Sequence, residues 1–193
     1  MEMVISKEKK ELRQKSLERL LSLTKDEIKR RSKNVESQLS NLSVYKEAKV
    51  IMAYYPLRGE VDVLELVRKD IGSKRFCFPV MDLKKKSLHI FEVADLDAEF
   101  VSGPFGIREP DTKKTKKVDA KEIDMVIVPG LAFDYDKNRL GRGVGFYDRF
   151  LEGLAPNIKK VAIAFKLQIL QNLPVNLSWD QKVDLVVSEN FII

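Results

Sequence analysis

The chain has 193 residues, a formal net charge of +6 and charged side chains at 33% of its positions. That length fits one domain with a substantial core, and with no run of 18 apolar residues a membrane-spanning helix is excluded. The single cysteine, Cys77, excludes an intramolecular disulfide and a cysteine zinc cluster. The N-terminal residues lack the apolar segment of a secretory signal, so a cytoplasmic location is expected, and the positive excess points to an anionic partner or substrate.

Residues 6–23 predict a helix with Leu12, Leu17, Leu20 and Leu21 toward one face and charge on the other. Lys9, Lys10 and Arg13 could face an anion, although a charge run of this kind is ordinarily a solvated face. Thr24 followed by Glu27 has the pattern of a capping box, opening a second helix to about Asn41 with Ile28, Val35, Leu39 and Leu42 as its apolar positions. Residues 49–54 predict a strand, 55–60 a turn, and 61–70 a helix with Val63, Leu64, Leu66 and Val67 inward. Residues 75–80 predict a strand broken at Pro79, with Cys77 packed as a core thiol. A strand over 87–93 follows a short polar turn and is therefore antiparallel to its neighbour. His89, the only histidine, lies in that strand, and no Ser/His/Asp triad can be assembled around it. Residues 100–110, with two glycines and two prolines, read as an irregular loop, either a substrate lid or a connector. The basic run from Lys113 to Lys117 reads as an exposed linker. Strands are expected again over 160–165 and 183–187, the latter with Asp180 and Asp184 about its start.

The most informative stretch spans 124–151. Met125–Val128 reads as a buried strand, Pro129 and Gly130 end it, and a polar loop leads into Arg139-Leu140-Gly141-Arg142-Gly143-Val144-Gly145. Residues 146–151 look like the start of a helix. Glycines let backbone N–H groups approach an anion closely, a helix start adds unpaired N–H groups, and arginines add forked donors for phosphate oxygens. Asp148 follows as an oxygen ligand where Mg²⁺ could bridge to phosphate. Together these predict a nucleoside triphosphate site. The GxGxG spacing is neither the dinucleotide fingerprint nor a Walker sequence, and glycines alone are compatible with a surface turn. Strands alternating with helices and apolar on both faces predict an α/β layered sheet. No internal repeat or domain boundary is visible, so residues 1–193 form one expected domain with a helical pair over 1–42 packed on it.

With these pieces in place the chain resembles the 5-formyltetrahydrofolate cyclo-ligase (5,10-methenyltetrahydrofolate synthetase) family. The resemblance rests on VPGLAFD at 128–134 and RLGRGVGFYDRFL at 139–151. KKELR at 9–13, YYPLRGEVD at 54–62, FGIREP at 105–110, AIAF at 162–165 and LPVNLSWDQKVD at 173–184 support it. It implies a three-layer α/β/α fold with a mostly parallel sheet, similar to the sugar-phosphate isomerase and CoA-transferase group. It implies ATP-dependent closure of 5-formyltetrahydrofolate to 5,10-methenyltetrahydrofolate through a phosphorylated formyl (iminium phosphate) intermediate, with ADP and phosphate released. By the same resemblance, Lys9, Lys10 and Arg13 help bind ATP, and Arg139, Leu140, Gly141, Arg142, Gly143, Val144, Gly145, Phe146 and Tyr147 cradle the triphosphate. Arg142 and Tyr147 are the expected catalytic residues, Tyr55 and Glu60 line the folate site, and Asp148 and Asp180 hold Mg²⁺. Without the resemblance, Glu60 reads as a carboxylate at a helix N-terminus. Val144 and Phe146 stand where many relatives have glycine and tyrosine, which stiffens one loop position and removes one hydroxyl. ATP and 5-formyltetrahydrofolate are the expected partners, with no nucleic acid or membrane partner and a monomeric chain. Two alternatives remain open at this point. One is a sugar-phosphate enzyme of the same fold group that works without ATP. The other is a basic nucleic-acid-binding module, against which the scattered lysines speak.

Overall fold

Side chains along the central strands alternate between two separate cores, as the period of two in a strand requires. Ile51, Met125, Ile127, Val161 and Ile163 pack on one side. Their neighbours Val50, Met52, Val126, Val128 and Ala162 pack on the other. Helical residues Leu20, Val35, Leu39, Leu66 and Val67 cover the first side, and Leu151 with Ile158 the second. The result is the expected three-layer α/β/α arrangement, because a sheet apolar on both faces must be covered on both.

The computed structural model describes residues 2–176 and 178–193, with side chains from Ile5 onward. In chain order the elements are α1 (Glu2–Leu21), α2 (Lys25–Asn41), α3 (Ser43–Glu47), β1 (Val50–Met52), α4 (Leu64–Asp70), β2 (Arg75–Asp82) and β3 (Ser87–Val93). They continue with β4 (Phe100–Ser102), β5 (Arg108–Pro110), β6 (Lys116–Val118), β7 (Met125–Val128), β8 (Ala132–Asp134) and β9 (Arg139–Leu140). The last are α5 (Phe146–Glu152), β10 (Lys159–Ile163), β11 (Ile169–Leu170) and β12 (Leu185–Val187). The main sheet has the order β12-β10-β7-β1-β2-β3-β6. Its pairs from β12 to β2 are parallel, and β3 and β6 add antiparallel strands at one edge.

This order decides where a ligand can sit. From β1 the chain first builds outward through β2, β3 and β6, then returns to the other side of β1 and builds outward through β7, β10 and β12. The direction of winding therefore reverses between β1 and β7. In open α/β sheets the crevice beyond the carboxyl ends of the strands at such a point is the binding position.

Several local expectations hold. Thr24 caps α2 with the reciprocal Glu27 bonds of a capping box. Cys77 is buried, and burial pushes its thiol up to about 12. Other expectations are corrected. α1 reaches closer to the N-terminus than residue 6, and its apolar stripe centres on Leu20, at 1% exposed, while Leu21 is 38% exposed. β2 runs unbroken through Pro79. β1 pairs with β2 only as far as Cys77, so beyond that point β2 has an open edge where a missing N–H is tolerated. Residues 100–110 form not an irregular loop but the β4–β5 hairpin. Glu109 holds it in place by accepting a 2.9 Å hydrogen bond from the Met81 N–H on β2. Within the presumed linker, Lys116–Val118 is the edge strand β6, with Val118 buried and both lysines exposed. The polar stretch before the glycines holds β8 and β9, closed by the buried Asp134 carboxylate, which accepts from Asn138 N–H and Nδ2 and from Leu173 N–H. Among the described residues no helix is long and apolar enough to cross a membrane.

Candidate active site

A cleft of about 390 Å³ opens at the winding reversal, lined by Tyr54 and Tyr55 beyond β1 and by Pro129 and Gly130 beyond β7. The glycine-rich segment forms one wall. Gly143 and Gly145 have φ of +100° and +75°, values that favour glycine, and Gly145 is the N-cap of α5. None of the five backbone N–H groups from Gly141 to Gly145 donates to an acceptor among the described residues. They are donors without protein partners at the rim of a cavity, a good environment for an anion.

Arg139 and Leu140 precede this wall as strand β9 rather than as part of the loop, and both are buried. The Arg139 guanidinium, its side chain 3% exposed, donates from Nη2 to Asp148 Oδ1 at 2.7 Å. It lies 5.7 Å from the centre of the Tyr147 ring. Arg142 is exposed at the cleft and donates from Nε and Nη2 to Glu60 Oε1 at 3.2 and 2.8 Å. Glu60, 7% exposed, also accepts from Leu57 N–H at 2.9 Å. Thus the turn after β1 and the glycine loop, 82 positions apart, are tied by a two-donor arginine–carboxylate pair.

Two more segments converge here. Lys9 on α1 is buried and ion-paired with Asp180. Arg13, one turn further along α1, donates from Nε to Gly141 O at 3.0 Å. Gln181 N–H lies 3.4 Å from Asp148 Oδ1, which brings the Asp180 turn beside Asp148. Lys10 is exposed on α1, and its side chain has no hydrogen-bond or ion-pair partner among the described residues. Leu177, within the motif that carries Asp180, lies outside the described residues. Asp148 and Asp180 offer oxygen ligands on adjacent segments. Among the described residues no three His, Cys, Asp or Glu side chains are grouped to hold a metal by themselves. Mg²⁺ retains waters and takes ligands from phosphate, so a closed cage is not required; Asp148, paired with Arg139, and Asp180, paired with Lys9, would hold it through their remaining oxygen capacity.

Tyr147 lines the cleft, and its buried hydroxyl has no hydrogen-bond partner among the described residues. Burial, then the charge of Glu60, hold its ionisation well above the usual phenol range against the opposing effect of Arg139. It is therefore a neutral O–H whose donor capacity is unmet, and an unmet buried polar group is costly until a ligand satisfies it. Tyr55 lines the cleft beside Phe100 at a ring separation of 5.0 Å. Val144 is 48% exposed, and Phe146 lies under the Arg149 guanidinium at 5.8 Å.

Sequence reasoning missed the opposite chemistry of the cleft. Phe78, Met81, Leu88, Phe105 and Ile107 make a broad apolar wall, and Arg108 and Glu109 stand within it. The signal was present in FGIREP, but only the hairpin geometry carries those residues to β2.

Known proteins fit this geometry. The 5-formyltetrahydrofolate cyclo-ligase family matches residues 5–189. The chain is 29% identical over 96% of its length to the 5-formyltetrahydrofolate cyclo-ligase of Mus musculus, covering 96% of that protein. It is 31% identical to that of Haemophilus influenzae over 76% of this chain and 79% of the relative. The solution structure of Aquifex aeolicus 5,10-methenyltetrahydrofolate synthetase is similar with a TM-score of 0.83 and 34% identity, covering 95% of this chain and 91% of that one. With a crevice at the winding reversal, a glycine wall of unpartnered donors and a match over nearly its whole length, the chain belongs to the 5-formyltetrahydrofolate cyclo-ligase family.

Proposed function

We propose that this protein couples ATP hydrolysis to the cyclisation of 5-formyltetrahydrofolate to 5,10-methenyltetrahydrofolate. The observation that carries the reading is the joint between Arg142 and Glu60. It sets a phosphate-type donor from the glycine loop against a buried carboxylate suited to the N–H groups of a reduced pterin, at the floor of one cleft. The formyl oxygen attacks the γ-phosphorus of ATP and ADP leaves, giving an iminium phosphate. N10 then attacks the former formyl carbon, its proton is released, and phosphate departs with the formyl oxygen. No protein nucleophile is needed, and the chain's task is positioning and charge neutralisation.

In this reading the N–H groups from Gly141 to Gly145, with Arg13 and Arg142, receive the triphosphate, while Lys9 and Lys10 lie along the same helix as supporting charge. Arg139 and Leu140 hold the wall from below, with Arg139 aligning Asp148. Val144 and Phe146 supply backbone N–H groups. Asp148 and Asp180 would hold Mg²⁺, which when bound supplies charge compensation to the phosphates. Tyr55 packs against the folate, and Tyr147 donates its unmet hydroxyl to a ligand oxygen. The apolar wall excludes water from the phosphorylated formyl group, which water would otherwise hydrolyse. All 193 residues act as one unit, since α1 contributes to the site itself, and the active form is a monomer in the cytoplasm.

The test is incubation with 5-formyltetrahydrofolate, ATP and Mg²⁺, followed by the absorbance of the methenyl product. Product is expected only when ATP is present, in step with ADP release. Equal product without ATP, or none with it, refutes the reading.

A further inference from the structure

Three arginines line the cleft, and carboxylates match two of them: Asp148 matches Arg139, and Glu60 matches Arg142. Arg108 forms no ion pair among the described residues. Its guanidinium carbon lies 5.2 Å from the centre of the Tyr55 ring and 5.9 Å from that of Phe100. Its hydrogen bonds are long, from Nη1 to the Tyr55 hydroxyl at 3.2 Å and from Nη2 to Phe100 O at 3.3 Å. Asp97 is near enough for Arg108 to help hold its carboxyl down, after the larger effect of Arg68. Arg68, however, already engages both Asp97 oxygens at 2.7 Å. A guanidinium has five N–H donors, and here two rings and two long hydrogen bonds hold it in place while most of those donors remain available. That is a preorganised fork for a carboxylate, with less ordering to lose on binding than a free side chain.

We propose that Arg108 is the carboxylate anchor of this cleft and takes the glutamyl end of the reduced folate, an assignment that rests on the function proposed above. A folate carries hydrogen-bonding groups on its pterin, an aryl ring in the middle and carboxylates at the far end. The cleft lining supplies a counterpart for each: the carboxylate Glu60, the apolar Phe78, Met81 and Ile107, and the exposed cation Arg108. The more obvious basic feature, the run from Lys113 to Lys117, is placed elsewhere. None of its lysines lines this cleft. Lys114 Nζ donates to Ala98 O at 3.1 Å, and Lys117 borders a separate depression beside α5. Arg108 is therefore a specificity-determining residue that distinguishes glutamylated from glutamate-free substrates.

The experiment compares kcat/KM for 5-formyltetrahydrofolate with that for 5-formyltetrahydropteroate, the same compound lacking the glutamate. The wild-type protein prefers the glutamylated compound, and Arg108→Met lowers that preference by about 10- to 100-fold, the range of a charge-assisted hydrogen-bonded pair. Arg108→Lys, which retains charge but loses the fork, falls between them. A Lys113→Gln/Lys114→Gln double variant retains the wild-type preference. A wild-type preference near unity overturns the proposal, as does an Arg108→Met preference equal to wild type. A preference lost in the lysine variant and kept in Arg108→Met assigns the anchor to the run and likewise overturns it. Absence of turnover with either compound overturns the reading of the whole site, and the role of Arg108 with it.

Discussion

Arg139 and Arg142 are three positions apart, yet the structure gives them different work. Arg139 is enclosed beneath the cleft against Asp148, whereas the Arg142 side chain is 38% exposed above Glu60. Arg142→Ala is therefore expected to lower ATP-dependent kcat/KM by about 100-fold or more, the scale of a lost transition-state donor, and to lower stability as well, because it leaves the buried Glu60 carboxylate without its cation. Arg139→Ala leaves Asp148 without its cation in a partly buried place and is expected to cost about 3 kcal/mol of stability. Parallel urea titrations and rate measurements on the two variants check both expectations. Full activity in Arg142→Ala would overturn its role as a donor. Sequence alone identified both arginines as anion donors, and their division of labour is invisible there because burial is a property of β9 and its packing.

At the scale of elements, the β4–β5 hairpin is the piece least legible in the sequence. Its glycines and prolines announce irregular backbone, and the structure does place a tight turn at Pro104–Gly106, with Phe105 at φ +57°. The hairpin closes on its own ladder and is tied to β2 by one buried carboxyl, Glu109, which accepts from the Met81 N–H and is pushed above the usual carboxylate range by burial. A raised folded-state value means that the folded protein prefers the protonated carboxyl. The stability contributed is then fully present below the ordinary value of 4.5 and is lost as pH rises through the folded value. Glu109→Gln keeps an oxygen for the Met81 N–H and removes the charge. Its unfolding free energy relative to wild type is expected to rise between pH 4.5 and neutrality, measured by urea denaturation. A constant difference across that range would show that Glu109 does not titrate abnormally.

At the scale of the whole molecule, the site is assembled from pieces spread along the chain: α1 through Lys9 and Arg13, the turn after β1 through Glu60, the glycine loop, and the Asp180 turn. A ligand bridging them stabilises every piece at once. Mg²⁺ with ATP at about 100 times its dissociation constant is expected to add about 2.7 kcal/mol to the folded state, read as a raised melting temperature. Asp180→Ala, which frees Lys9 and weakens the hold on α1, should reduce that shift. An identical shift in the variant would place Asp180 outside the binding unit.

The sequence by itself determined the α/β class, the capped helix α2, the main strands and the phosphate-suited glycine stretch. Each is written in local periodicity or in the steric freedom of particular residues. The family resemblance extended this reading to Lys9 and Arg13, otherwise read as solvated charge, to Glu60, otherwise read as a carboxylate at a helix N-terminus, and to Asp180. Only the tertiary structure decided which charges neutralise one another, that Arg139 lies under the cleft, and that the Lys10 side chain is left unpaired among the described residues. It alone brought Arg108 and the apolar hairpin wall to the same cavity. The physical reason is that pairing, burial and enclosure depend on contacts between segments as far apart as Lys9 and Asp180, 171 positions along the chain, and no local pattern encodes a distance of that kind.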